Sequence, residues 1–173
     1  MKITVEQFKE LLEMQGKMDN IAKENNNIPV DANLKQEKYL ALMTELYEFG
    51  NEVEAFKFWK KNKGKANQLE ELVDALHFIL SIMLDEEFDI KEDLEITEKQ
   101  MEFFENKSFN EIFIMTTLAL TDGYMTDNYK EIIISVLIGL MTMASKQGFS
   151  IEEIIEEYKR KNQINIQRQL DKY

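Results

Sequence analysis

An all-α helical bundle is the fold this sequence predicts, on three observations. Apolar residues recur at spacings of three and four along most of the chain, and strand-like alternation persists nowhere. Six Gly and one Pro are too few for a turn-rich β fold. With 173 residues and 20.5 kDa, residues 1–173 fit a single domain with a substantial core.

Thr4 and Gln7 form a capping-box pattern that opens a first helix, running to about Ala22. Its inner seam is Phe8, Leu11, Gln15, Met18 and Ala22, which sets Gln15 among apolar neighbours. Residues 25–33 hold the Pro and read as a loop. A second helix covers residues 34–60, with Leu42, Leu46, Phe49, Val53 and Phe56 facing inward. It ends in the basic, Gly-containing stretch KKNKGKAN. A third helix, residues 68–86, is apolar around most of its circumference from Leu69 to Leu84 and belongs at the centre of the bundle. The highly charged residues 90–107 read as a peripheral helix or loop. Ser108 with Glu111 starts another helix through IFIMTTLAL, which TDGYMTDN terminates. The next helix begins at Tyr129 and stops at Gly148, and Ser150 with Glu153 caps the last.

Two stretches, residues 112–120 and 132–144, are apolar on nearly every side and should be buried all round. In a chain this short a second subunit covering one face arranges that most easily, so a homodimer is expected. A thick single core is the alternative.

The absence of cysteine excludes disulfides, thiolate metal sites and a cysteine nucleophile. One histidine, His77, excludes a multi-histidine zinc site. Any metal is therefore held by oxygen, which points to Mg²⁺ or Mn²⁺. A net charge of −12 argues against nucleic-acid polymers and anionic membranes as partners. The N-terminus reads as a helix rather than a signal peptide, and the longest apolar run is too short to span a bilayer. A cytoplasmic protein is the expectation.

One step around the second helix from its apolar seam lie Glu45, Glu48 and Glu52, then Trp59. On the third helix Glu71 and Asp74 share a face that Phe78 continues. A short connection makes these helices antiparallel, so that Glu45 and Glu48 face Glu71 and Asp74. A solvated acidic stripe is one reading of any single pair. Two pairs, one of them in the most apolar helix, favour a divalent-metal site, because buried carboxylates need compensation.

The E-x-x-E of Glu45 and Glu48, followed by the E-x-x-D of Glu71 and Asp74, resembles the metal signature of the all-α nucleoside triphosphate pyrophosphatases, the MazG-like superfamily. Within it, ELVDALHFILSIMLDE, FKFWKK and the closing KNQINIQRQLDKY look like the dimeric dUTPases. The likeness covers most of residues 5–86 and 158–173. Near the C-terminus Lys161, Asn165 and Arg168 share one helix face, a compact basic patch on an acidic protein. It reads as a clamp on a polyphosphate tail, the alternative being simple complementation of the helix dipole. For the base, the candidates are Gln15 and Asp19, with the aromatics Trp59 and Phe78. Gln15 offers both a donor and an acceptor, matching the edge of uracil. For each aromatic, ordinary core packing is the competing reading, and His77 reads as a buried structural histidine. Two departures from the family pattern stand out. Asp19 replaces an expected Asn and cannot donate a hydrogen bond when ionised, and Lys172 stands where the terminal Gly-Tyr has its Gly.

The resemblance implies an Mg²⁺-dependent dUTP pyrophosphatase that also acts on dUDP and limits uracil incorporation into DNA. Glu45, Glu48, Glu71 and Asp74 would hold the ions, and Glu48 would accept the proton of the attacking water. The alternatives are a dCTP or broad-specificity MazG-like enzyme, or a non-catalytic acidic helical dimer that binds a protein partner such as a repressor.

Overall fold

In the computed structural model, the residues described are 3–86, 88, 90, 102–126 and 129–171. Six long helices account for most of them: α1 (Val5–Asn25), α2 (Lys35–Val53), α3 (Gln68–Asp85), α4 (Phe109–Thr126), α5 (Tyr129–Lys146) and α6 (Ile151–Leu170). No strand occurs among the described residues. The all-α expectation is borne out. Most of the charged segment 90–107 lies outside the described residues, as do Lys172 and Tyr173.

Helix starts follow the sequence signals closely. Thr4 accepts from the Gln7 backbone N–H and the Gln7 side chain accepts from Thr4 N–H, and Ser150 and Glu153 repeat the arrangement at α6. Ser108 and Glu111 bond reciprocally ahead of α4. Helix α3 packs against α1, α2, α5 and α6, and every residue from Leu72 to Met83 is buried except Asp74 and Phe78. Its central place is the reason those two side chains matter: they lie along the one line of α3 that its neighbours leave open.

Helix α1 runs to Asn25, three residues past the expected end, and two further helix ends differ from expectation more strongly. Helix α2 stops at Val53, not near residue 60, because Glu54 adopts a left-handed conformation with φ 56°. The Glu54 carboxylate, buried at 2% exposure, grips Lys57 and Lys60 and folds the chain into an irregular connection over residues 54–67. Phe56 consequently leaves the inner seam and Trp59 the line of Glu45, Glu48 and Glu52, at 51% and 66% exposure. The connection is longer than expected, yet α2 and α3 still run antiparallel. Lys38 at the start of α2 reaches Ser81 and Asp85 at the end of α3.

Helix α4 runs on through TDGYM to Thr126 rather than ending there. Gly123 is buried against α5, where an added Cβ would lie 2.4 Å from the Ile132 side chain. The glycine permits close approach of two helices instead of breaking one. Helix α5 is enclosed by its own chain, with residues from Ile133 to Ala144 buried except Ser135. The thick-core alternative therefore accounts for α5. Helix α4 is different: only Ile112, Thr116, Leu120 and Gly123 are buried, while Ile114, Leu118 and Met125 are exposed. Among the described residues, no single helix is long and apolar enough to cross a membrane.

Candidate active site

Antiparallel packing brings the middle of α2 against the first half of α3. Glu45, Glu71 and Asp74 each place a carboxylate oxygen within 4.8 Å of the other two, and all three side chains are half-buried. Burial first, then repulsion from Asp74, Glu48 and Glu71, pushes Glu45 up to about 7. Burial and the charges of Asp74 and Glu48 likewise push Glu71 up to about 7. Burial also raises Asp74, against the pull of Lys161. Glu48, one turn along α2 from Glu45, stands exposed at the edge of this group and acts on Glu45 and Glu71 through its charge. The donor set is all oxygen and crowded with negative charge, which suits a hard divalent cation.

Next to the carboxylates opens a pocket of about 480 Å³. Of the carboxylate cluster, Glu45 and Asp74 line it; Lys161, Asn165 and Arg168 line a wall contributed by α6; Gln15, Asp19 and Phe78 are among the other lining residues. Residues read from four separate stretches of the sequence thus face one cavity. Lys161 is buried, with its ammonium 2.7 Å from Asp74 and 2.9 Å from Glu70. Arg168 is exposed at the rim and favours the charged forms of Asp74 and Glu70.

The family model described as dUTPase matches residues 7–173. The chain belongs to the dUTPase family. Its activity is accordingly dUTP hydrolysis, by an all-α fold. No curated relative matches the chain.

In this dUTPase the far end of the pocket is a hydrogen-bonded cluster that ties α1, α3 and α6 together. Gln15, 1% exposed, donates from Nε2 to Asp19 at 2.6 Å, which turns its Oε1 toward two donors. Those are the Tyr158 hydroxyl at 2.7 Å and His77 Nδ1 at 2.8 Å. Because Oε1 only accepts, His77 carries its proton on Nδ1. Burial, aided by the positive charge of Lys161, depresses His77 to about 3, so it is neutral. Its ring stacks on Tyr158 with centroids 4.1 Å apart. The reading of His77 as a structural histidine fits these contacts, although it also lines the pocket. Asp19 also accepts from Ser81 Oγ at 2.6 Å, with Lys38 Nζ 3.9 Å away.

Trp59 is not brought to this pocket. It packs edge-on against Phe56 and Phe58 in the exposed connection after α2, because the helix that would have carried it ends six residues earlier. Phe78 does line the cavity. Sequence reasoning missed Lys38, Glu70, Ser81 and Tyr158. Ser81 carried a usable signal, a polar residue in the most apolar helix. Lys38 and Glu70 carried none, since each lies on a charged stretch and acquires its role only across a helix interface.

Proposed function

We propose that this dUTPase hydrolyses dUTP, and also dUDP, to dUMP with Mg²⁺ or Mn²⁺ held by Glu45, Glu48, Glu71 and Asp74. The observation that carries the reading is the sharing of one pocket by Glu45 and Asp74 of the carboxylate cluster and the Lys161–Asn165–Arg168 wall. Bound divalent cations would supply charge neutralisation of the phosphate chain and Lewis-acid polarisation of the attacked phosphoryl group. Lys161 and Arg168 neutralise the end of that chain, Lys161 as a point charge and Arg168 through its planar fork. Glu48 is exposed beside the cluster, where it can accept a proton from the attacking water. Gln15, Asp19 and Phe78 form the base end, Phe78 by stacking.

Water attacks the β-phosphorus in this reading. The new P–O bond forms there, the bridge to the α-phosphorus breaks, and dUMP leaves. In cells the reaction removes dUTP and limits uracil incorporation into DNA.

The enzyme is proposed to work as a homodimer. Ile114, Leu118 and Met125 on α4 are exposed, as are Leu40 and Tyr47 on α2, and α2 packs against α4. Exposed apolar side chains grouped on two adjoining helices mark a surface that gains from being covered.

Asp19 favours a second reading. A carboxylate accepts but does not donate, so a base edge richer in donors suits this end of the pocket, as in a dCTP or broader MazG-like pyrophosphatase. A panel of dNTPs and NTPs with Mg²⁺, scored by pyrophosphate release, separates the two. Preference for dUTP supports the first reading, and equal or faster turnover of dCTP overturns it.

A further inference from the structure

Lys161 serves two carboxylates on α3 at once. Its ammonium lies 2.7 Å from Asp74 Oδ2 and 2.9 Å from Glu70 Oε1, and the residue is only 5% exposed. Glu70 sits at the outer edge, in the first turn of α3, and also lies 3.8 Å from Arg160 on α6. An ammonium has three N–H groups, and two of them are directed at these carboxylates. Lys161 therefore joins the inner carboxylate cluster to a more exposed residue that takes no place in it.

We infer that Glu70 is a positioning residue: by sharing Lys161 with Asp74 it keeps the ammonium from settling wholly on the metal-binding carboxylates. This rests on the proposal that Asp74 binds a cation. A lysine with Asp74 as its only partner opposes a cation there more strongly, because the two positive charges compete for one carboxylate. Glu70 draws part of that charge outward. It also holds Lys161 on the α6 wall, where its remaining N–H serves the phosphate chain. Complementing the α3 dipole from the first turn is the competing role for Glu70, and it would act without Lys161.

Mn²⁺ binding to the full chain, followed by the EPR signal of the free ion, tests the inference without nucleotide or turnover. Lys161→Met should tighten Mn²⁺ binding at least about fivefold, since it removes a nearby positive charge. Glu70→Gln should weaken it about threefold in the wild-type background and clearly less in the Lys161→Met background, where only the direct effect of the Glu70 charge on Asp74 and Glu71 remains. Lys161→Gln gives the same comparison if the methionine variant does not fold. Weaker or unchanged Mn²⁺ binding in the folded Lys161 variant would overturn the inference, as would an equal effect of Glu70→Gln in both backgrounds. Those results leave the metal site standing. Failure of the wild-type chain to bind Mn²⁺ would overturn the metal-site reading along with it.

Discussion

Gln15→Leu is the substitution that most directly tests the hydrogen-bonded cluster of Gln15, Asp19, His77 and Tyr158. Leucine has nearly the volume of glutamine but accepts nothing. Its introduction leaves His77 Nδ1–H and the Tyr158 hydroxyl without their short partner, and deprives Asp19 of one donor. Tyr158 is 0% exposed and does not line the pocket, so water does not replace the acceptor its hydroxyl loses. His77 Nδ1–H is orphaned at about 1–3 kcal/mol while the Tyr158 hydroxyl keeps only its long contact to the Leu11 carbonyl at 3.5 Å, so that, with the added apolar surface as a partial offset, the loss is about 3 kcal/mol. In a chain of this size that lowers Tm by roughly 6–12 °C. Tyr158→Phe alone should cost about 1 kcal/mol, and clearly less when Gln15 is already leucine, because the two changes remove the same bond. Urea unfolding of the four proteins gives the cycle. His77 is the single histidine, so long-range ¹H–¹⁵N spectra report its tautomer without assignment. The Nδ1–H form is expected in the wild type and should lose its dominance in Gln15→Leu. A leucine variant within about 0.5 kcal/mol of wild type would refute the reasoning, as would an undiminished cost of Tyr158→Phe beside it.

Asp74→Asn or Glu48→Gln should reduce dUTP turnover by at least about 10²-fold with the fold intact, because each removes charge and a ligand or base. Near wild-type rates at saturating Mg²⁺ would place the site elsewhere. Glu45 and Glu71 titrate near 7 in the folded chain against 4.5 when unfolded, so the stability tied to their protons is complete below pH 4.5 and lost as pH rises through 7. His77, held neutral by a depressed pKa, has the opposite sign, but its effect is confined below 6.5. Chelator-treated protein should therefore lose stability between roughly pH 6.5 and 7.5, and Glu45→Gln should flatten the slope; a rising profile in urea unfolding would contradict this. Sedimentation at micromolar concentration should report twice 20.5 kDa, and a clean monomer would remove the dimer. Hydrolysis in ¹⁸O-labelled water should put label in pyrophosphate and not in dUMP, and the converse would show attack at the α-phosphorus.

What the sequence by itself determined follows from local rules. Helix starts at Thr4, Ser108 and Ser150 were legible because a capping box is written within four consecutive residues. The central place of α3 was legible because a helix apolar on nearly all sides has nowhere else to go. Helix ends were less legible. Glu54 ends α2 through a left-handed turn held by two lysines, and Gly123 continues α4 because Ile132 needs the space its missing side chain leaves. Neither signal is local. The carboxylate pairs could be read from spacing, since i and i+3 share a helix face in any helix. Tertiary structure decided which of them converge, drawing Glu45, Glu71 and Asp74 together and leaving Glu48 at the edge. It also decided that Lys161 reaches Glu70, that Lys38 nears Asp19 and that Trp59 stays outside. Those relations join residues of different helices, whose separation depends on how the helices pack, and helical periodicity carries no information about that distance.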